Sequence, residues 1–312
     1  MGESVWRIRA KKELSDNEAA ALVGTLLTED AYHSLIDRDC DVTGPDGEFL
    51  LRFRKKVLRP DDCYAAWKNL RSAATQSDNR GIAAGVFEES EIRPNIGKRS
   101  GVRYYQAKPD GTIINTNRAK TVNSGIIGFF DRNPRIPYCR QTAFNIQKGD
   151  QFDKALPMIQ AISEHFERLM PERWAAQKAF CDRTSPDFLI PGTVFSTITV
   201  NKNWQTAVHQ DAGDLRAGFG VLTALRAGRF TGGYFCLPQY GVAVDMDNTD
   251  LLLADVHQWH GNTPIKPVDI RFERVSLVFY YREQMTECGS ALEEAEIAKR
   301  RKPGSRLKGK LQ

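Results

Sequence analysis

This chain of 312 residues lacks long apolar runs and closely spaced cysteine pairs, and it contains only five histidines. No run of about 18 consecutive apolar residues occurs, so the sequence predicts no membrane-spanning helix. The first residues are charged and lack an apolar core, a pattern that does not match a secretory signal.

The six cysteines are scattered along the chain and include no CxxC pair. A zinc ribbon or a dithiol redox motif is therefore not indicated. Isolated cysteines in a large domain usually behave as small buried apolar residues, so we expect free thiols and a reducing, cytosolic or otherwise intracellular location.

Histidine is also rare, yet three of the five histidines fall within about fifty residues: His209, His257 and His260. His209 and Asp211 flank Gln210, and side chains two residues apart on a strand point to the same face. An HxD pair alone is weak evidence, because a surface turn with local hydrogen bonds explains it equally well. Two histidines and one carboxylate that leave other positions open, however, form the facial triad typical of non-haem Fe(II) oxygenases.

Arg274 opens a stretch, RVSLVFYY, that otherwise predicts an apolar strand. A buried arginine is unfavourable unless an anion pairs with it, and its planar fork suits a carboxylate. Ser276 lies two residues on and faces the same side. The two residues could hold the distal carboxylate of 2-oxoglutarate. The alternative is an edge arginine paired with Glu273 or Glu283.

Short helical and strand patterns are mixed in residues 1–185, and we expect these elements to pack on the core. Several short β-branched strands follow each other over residues 186–287 and predict a sandwich or barrel. Residues 288–312 are polar and basic, and we expect a disordered tail. Between Glu91 and Arg140, ten basic residues oppose three acidic ones, which suits a polyanion such as nucleic acid. A solvated basic surface is the simpler alternative.

Four segments from Val200 onward resemble the TET/JBP family of Fe(II)/2-oxoglutarate nucleobase dioxygenases: TVNKNWQTAVHQDAGD, GGYFCLPQYGVAVDM, LLLADVHQWHGNTPI and RVSLVFYYRE. NSGIIGFFDR, YCRQTAFN and NRGIAAG resemble upstream parts, especially of JBP-like and phage members. The resemblance spans roughly residues 50–285. It implies an α+β fold with a double-stranded β-helix, or jelly-roll, core surrounded by helices.

The resemblance also implies the cofactors and their ligands. Fe(II) would bind His209, Asp211 and His260, because the ligand histidine of the family precedes a Thr-Pro, as in HGNTP. His257 would then be a supporting or core residue. Arg274 and Ser276 would bind the cosubstrate 2-oxoglutarate, with O₂ as the oxidant.

The substrate implied by the resemblance is the C5-methyl group of a pyrimidine in DNA, reached by base flipping. Asp214, Tyr280 and Arg282 are the residues that the family places against the flipped base. An ionised Asp214 would favour the amine of cytosine, so we expect oxidation of 5-methylcytosine in a methylated duplex to 5-hydroxymethylcytosine, with further oxidation left open. Thymine in DNA, a free nucleoside or small metabolite, and a non-catalytic reader of modified bases remain alternatives.

Overall fold

The computed structural model describes residues 4–85 and 120–300. The helices are α1 (Asp16–Ala21), α2 (Pro60–Leu70), α3 (Ala143–Gln147), α4 (Gly149–Leu169), α5 (Pro171–Cys181) and α6 (Ala291–Arg300). The strands are β1 (Trp6–Arg9), β2 (Ser34–Ile36), β3 (Cys40–Thr43), β4 (Phe49–Arg54), β5 (Thr75–Ser77), β6 (Val122–Phe130), β7 (Arg140–Gln141), β8 (Thr197–Lys202), β9 (Gly220–Ala227), β10 (Phe230–Gly232), β11 (Phe235–Leu237), β12 (Val242–Val244), β13 (Leu251–Ala254), β14 (Gly261–Asn262), β15 (Ile265–Pro267) and β16 (Glu273–Tyr280).

Two sheets form the jelly-roll core. The large sheet has the order β1-β3-β4-β13-β9-β16-β8-β6-β5, with β7 on β6, and the small sheet has the order β14-β11-β12-β2. β10 and β15 form a separate antiparallel pair. The predicted α+β class with a double-stranded β-helix is confirmed.

The two faces of β16 are both largely buried, but they face different surroundings. Val275, Leu277 and Phe279 point into an apolar core that also contains residues of α4, such as Ile159 and Phe166. The intervening residues face the opposite side, toward the small sheet. β9 follows the same rule, because Leu222 and Ala224 pack against small-sheet residues. Helices therefore cover one face of the large sheet, and the other face is directed toward the small sheet, where a site can lie between the two sheets.

Strands from residues 1–185 join the large sheet, because β4 pairs with β13 and β6 pairs with β8. The predicted start of the disordered tail at residue 288 differs from the structure, because Cys288 is buried and α6 occupies Ala291–Arg300. Residues 301–312 lie outside the described residues, as do most of the basic residues of the tail.

The prediction of free thiols is wrong for one pair. Cys139 and Cys288 form a disulfide, whereas Cys40, Cys63, Cys181 and Cys236 are free and buried. The sequence offered no sign of this pairing, because the two cysteines are 149 residues apart. Over residues 4–85 and 120–300, none of the helices combines the length and apolar character that crossing a bilayer requires.

Candidate active site

Two histidines and one aspartate meet at the open face of the large sheet. His209, Asp211 and His260 each offer a ligand atom, and these atoms lie within 4.8 Å of one another. His209 Nε2 is 3.2 Å from Asp211 Oδ1, and His260 Nε2 is 3.9 Å from Asp211 Oδ2. Reciprocal backbone hydrogen bonds join His209 and His260, so the two ligand segments are held side by side.

The local structure differs from the predicted strand. β8 ends at Lys202, and Asp211 lies in a loop. His209 belongs only to an isolated bridge with His260. The two ligands share one site because of this bridge and the following turn, not because of strand alternation.

Hydrogen bonds select the tautomer of both imidazoles. His209 Nδ1 lies 2.8 Å from the carbonyl of Ala207, and His260 Nδ1 lies 2.9 Å from the carbonyl of Gln258. Because a carbonyl can only accept, Nδ1 carries the proton in each ring and the Nε2 lone pair is free. Both free nitrogens face Asp211.

The titration of the cluster also suits a cation. Burial, followed by the charge of His209, lowers the pKa of His260 to about 4, so this ring is neutral at neutral pH. Burial alone would raise the pKa of Asp211, but the His209 hydrogen bond and the nearby imidazoles outweigh it and lower the pKa. Two imidazole nitrogens and one carboxylate form a donor set that fits Fe(II) and leaves coordination positions open.

Arg274 and Ser276 line the same cavity, which has a volume of about 700 Å³. Arg274 is only 5% exposed, and among the described residues no acidic side chain forms an ion pair with it. The alternative of an Arg274–Glu273 ion pair does not hold, because the carboxylate of Glu273 pairs with Arg71 and Lys202. Burial and the charge of Arg226 lower the pKa of Arg274 to about 10, so the guanidinium stays charged and suits an incoming carboxylate.

Gly233 makes room for this guanidinium. A Cβ atom at Gly233 would lie 2.9 Å from Arg274 Nε, and the backbone has a φ of +69°. Sequence analysis did not identify this position. The GG pair of TGGYF carried the signal, because a glycine is favoured where φ is positive or another group approaches closely.

The expected base-facing residues lie together on another wall of the cavity: Asp214, Tyr280 and Arg282. The Tyr280 hydroxyl lies 3.2 Å from Thr199 Oγ1. Arg282 donates from Nε to Asp131 at 2.8 Å, and its backbone pairs with that of Asp214. Tyr281 points away into the core and bonds to Thr184, so only one of the two adjacent tyrosines faces the cavity.

Arg80 also lines this cavity, which the sequence did not predict. Arg80 belongs to the NRGIAAG segment, donates to the carbonyl of Gly125, and its charge interacts with Tyr280 and Asp211. Trp204 lines the cavity as well, and its Nε1 is buried without a hydrogen-bond partner among the described residues. The guanidinium of Arg80 offers N–H donors to a ligand.

The basic segment can be assessed only in part. Six of its ten basic residues lie outside the described residues: Arg93, Lys98, Arg99, Arg103, Lys108 and Arg118. Of the remainder, Arg132 pairs with the buried Glu294. Its side chain is therefore engaged within the protein, contrary to the expectation of a phosphate contact.

A family model described as the oxygenase domain of the 2OGFeDO superfamily, Tet_JBP, matches residues 125–283, about half of the chain. The chain belongs to the Tet_JBP family. The resemblance inferred from the sequence is thus confirmed. As a member of the 2OGFeDO superfamily, this oxygenase domain uses Fe(II), 2-oxoglutarate and O₂, and the His209–Asp211–His260 cluster fits that requirement.

Several relatives carry the name thymine dioxygenase. The chain is 39% identical to JBP1 of Trypanosoma brucei brucei over 170 residues, which cover 53% of this chain and 20% of the relative. It is 31% identical to JBP1-A of Trypanosoma cruzi over 245 residues, which cover 76% of this chain and 29% of the relative. The chain therefore spans less than a third of the length of either relative.

A solved structure of NgTET1 in complex with 5mC DNA has a similar fold. The TM-score is 0.56 at 13% identity, and the match covers 87% of this chain and 88% of the other. At this identity the similarity supports the jelly-roll fold and leaves the substrate undetermined.

Proposed function

We propose that this domain hydroxylates the C5-methyl group of thymine in DNA. The observation that carries the proposal is that a single cavity contains the His-Asp-His cluster, Arg274, which no described acidic side chain pairs with, and a wall rich in hydrogen-bond donors. The names of the relatives, thymine dioxygenases, point to the same base.

His209, Asp211 and His260 would hold Fe(II), which when bound supplies the O₂-dependent oxidation of a C–H bond. Arg274 and Ser276 would orient 2-oxoglutarate through its distal carboxylate. Both residues lie on β16, on the same face as Tyr280, which would bring the cosubstrate and the base to one strand. Tyr280 would stack on the base.

The raised pKa of Asp214 weakens the reason for expecting cytosine. Burial, followed by the charge of Asp211, raises the pKa of Asp214 well above its usual value. A neutral carboxyl group offers one donor and one acceptor, so it pairs with the edge of either pyrimidine. The preference for 5-methylcytosine required an ionised Asp214.

The arginines favour thymine. Arg80 and Arg282 offer only donors, and thymine presents carbonyl acceptors at both C2 and C4. Cytosine presents an amino group at C4, which a guanidinium repels. A flipped thymine is therefore the base that best matches this wall.

The test compares three duplexes of one sequence: one with thymine, one with thymine and 5-methylcytosine, and one with deoxyuridine in place of thymidine. Each is incubated with Fe(II) and 2-oxoglutarate and digested for mass spectrometry of nucleosides. We expect 5-hydroxymethyluracil from the two thymine duplexes, suppression by high salt, and no product from the deoxyuridine duplex.

Oxidation of 5-methylcytosine alone would contradict the proposal and restore the cytosine interpretation. Turnover of free thymidine with inert DNA would instead indicate a nucleoside hydroxylase. An Asp211→Ala variant is the matched control for iron-independent oxidation, and 2-oxoglutarate binding without turnover of any substrate would favour a non-catalytic module.

A further inference from the structure

We propose that His257 is a positioning residue that braces the loop carrying Asp211 and Asp214. The inference rests on the proposed function only in assigning Asp214 to the base. His257 lies outside the metal cluster, although it precedes the ligand His260 by three residues.

The braced loop has no regular secondary structure of its own. Residues 210–214 lie between the His209–His260 bridge and the Asp214–Arg282 bridge, and Gly213 has a φ of +88°. A loop of this kind does not fix side-chain positions through a strand ladder. Asp211 and Asp214 depend on tertiary contacts for their placement.

Those contacts come from the turn that follows β13. Gln210 Nε2 donates to the carbonyl of His257 at 2.6 Å, and the Asp211 N–H donates to the carbonyl of Val256 at 3.0 Å. The side chain of His257 lies beside Asp214, because the two residues line the same small cavity. The turn thus contacts the beginning, middle and end of the loop.

Asp255 makes the turn a firm support. Its carboxylate accepts the N–H of His257 at 3.1 Å and the side-chain amide of Gln258 at 3.0 Å, and it lies 3.4 Å from His257 Nδ1. Its own N–H donates to the carbonyl of Leu50 at the start of β4. The imidazole therefore lies between an anchored carboxylate and the Asp214 end of the loop.

This arrangement gives a hydrogen-bonding role to a histidine that would otherwise compete for the metal. A shift of about 1 Å in a positioned group can reduce catalysis by about 100-fold. Loss of the brace should displace Asp214 more than Asp211, because Asp211 keeps its backbone hydrogen bond to Val256. We therefore expect substrate positioning to suffer before metal binding.

The test uses His257→Ala, His257→Gln and a control, His33→Gln. Glutamine retains a side-chain N–H donor, whereas alanine removes it. His33 also pairs with a carboxylate, that of Glu13, but it is not among the residues that line the cavity. Hydrogen–deuterium exchange of the 210–216 segment is measured without substrate. The number of hydroxylated bases formed per succinate is measured with thymine DNA.

We expect His257→Ala to accelerate exchange of this segment about tenfold and to lower the hydroxylation-to-succinate ratio several-fold, with an unchanged melting temperature. His257→Gln should restore most of both, and His33→Gln should change neither. Wild-type exchange in His257→Ala would overturn the proposal, as would a His257→Gln variant as impaired as the alanine one. If wild-type protein leaves thymine DNA unmodified, the proposed function fails, while the exchange data still decide the brace.

Discussion

At the residue scale, the site depends on how each polar group is oriented by a neighbour. The carbonyls of Ala207 and Gln258 direct Nδ1 of the two histidine ligands, which turns Nε2 toward Asp211. Arg274 has the opposite character, because the described residues provide it with no carboxylate partner. The orientation of the two histidines is set by groups of the chain itself, whereas the Arg274 guanidinium is suited to pairing with the carboxylate of a bound ligand.

Arg274→Lys should raise the KM for 2-oxoglutarate by about tenfold or more and leave metal affinity within about twofold. Lysine retains the charge but loses the planar fork that binds a carboxylate through two hydrogen bonds. Succinate formation against 2-oxoglutarate concentration measures the first effect, and a Co(II) absorbance titration measures the second.

Arg229→Lys is the matched control, because Arg229 is exposed and pairs with Asp269. An unchanged 2-oxoglutarate KM in Arg274→Lys would remove Arg274 from the cosubstrate site. A loss of Co(II) binding would show that the substitution disturbs the metal cluster instead.

At the scale of elements, β16 contributes three side chains to the cavity, and the loop between β10 and β11 leaves space for one of them, Arg274. β16 directs Arg274, Ser276 and Tyr280 to the cavity while its other residues enter the core. The β10–β11 connection passes so close to Arg274 that a Cβ at residue 233 would displace its guanidinium. The proposed cosubstrate pocket therefore depends on Arg274 and on the missing side chain at residue 233.

Gly233→Ala should weaken 2-oxoglutarate binding, because its Cβ would displace the Arg274 guanidinium. Gly228→Ala is the control: it has a similar φ of +71°, but its Cβ would approach Phe272 rather than a cavity residue. Both substitutions should lower the melting temperature, since both positions have positive φ.

Only Gly233→Ala should raise the KM for 2-oxoglutarate, by about tenfold if the arginine fork is lost. Equal effects of the two alanine variants on KM would mean that general strain, and not the approach to Arg274, explains the result.

At the scale of the whole molecule, α6 and residues 131–139, which are distant in sequence, are joined next to the cavity residue Arg282. Glu294 of α6 is buried and accepts hydrogen bonds from Arg132 and from the N–H groups of Cys139 and Gly289. The Cys139–Cys288 disulfide joins the same two segments. Asp131, next to Arg132, accepts from the cavity residue Arg282. The C-terminal helix therefore supports the cavity indirectly.

Glu294→Gln should lower the free energy of unfolding at pH 7 by about 1–3 kcal/mol. Burial alone would raise the pKa of Glu294, but the Arg132, Gly289 and Cys139 hydrogen bonds outweigh it and hold the pKa below its usual 4.5. The stabilisation is therefore present above the unfolded-state pKa and is lost as the pH falls through the lower folded-state pKa.

Urea unfolding from pH 3 to pH 8 measures this effect, and the difference between wild type and variant should shrink at the acidic end. Glu296→Gln is the control, because that exposed glutamate pairs only with Lys299 among the described residues. A difference that is independent of pH would show that packing, and not the ionised carboxylate, is responsible.

The sequence by itself determined the chemistry and the strand pattern. The few histidines, the HxD pair and the arginine in an apolar strand specify donor types for Fe(II) and a carboxylate, and these do not depend on where the chain folds. The alternation along residues 274–280 also follows from local geometry, since successive side chains of a strand point to opposite faces.

Only the tertiary structure decided which distant groups meet. The bridge between His209 and His260, the entry of Arg80 into the cavity and the Cys139–Cys288 disulfide all join residues that no local periodicity relates. The raised pKa of Asp214 depends on burial and on the charge of Asp211, which the sequence alone does not specify. The preference for cytosine inferred from an ionised Asp214 lost its support for that reason.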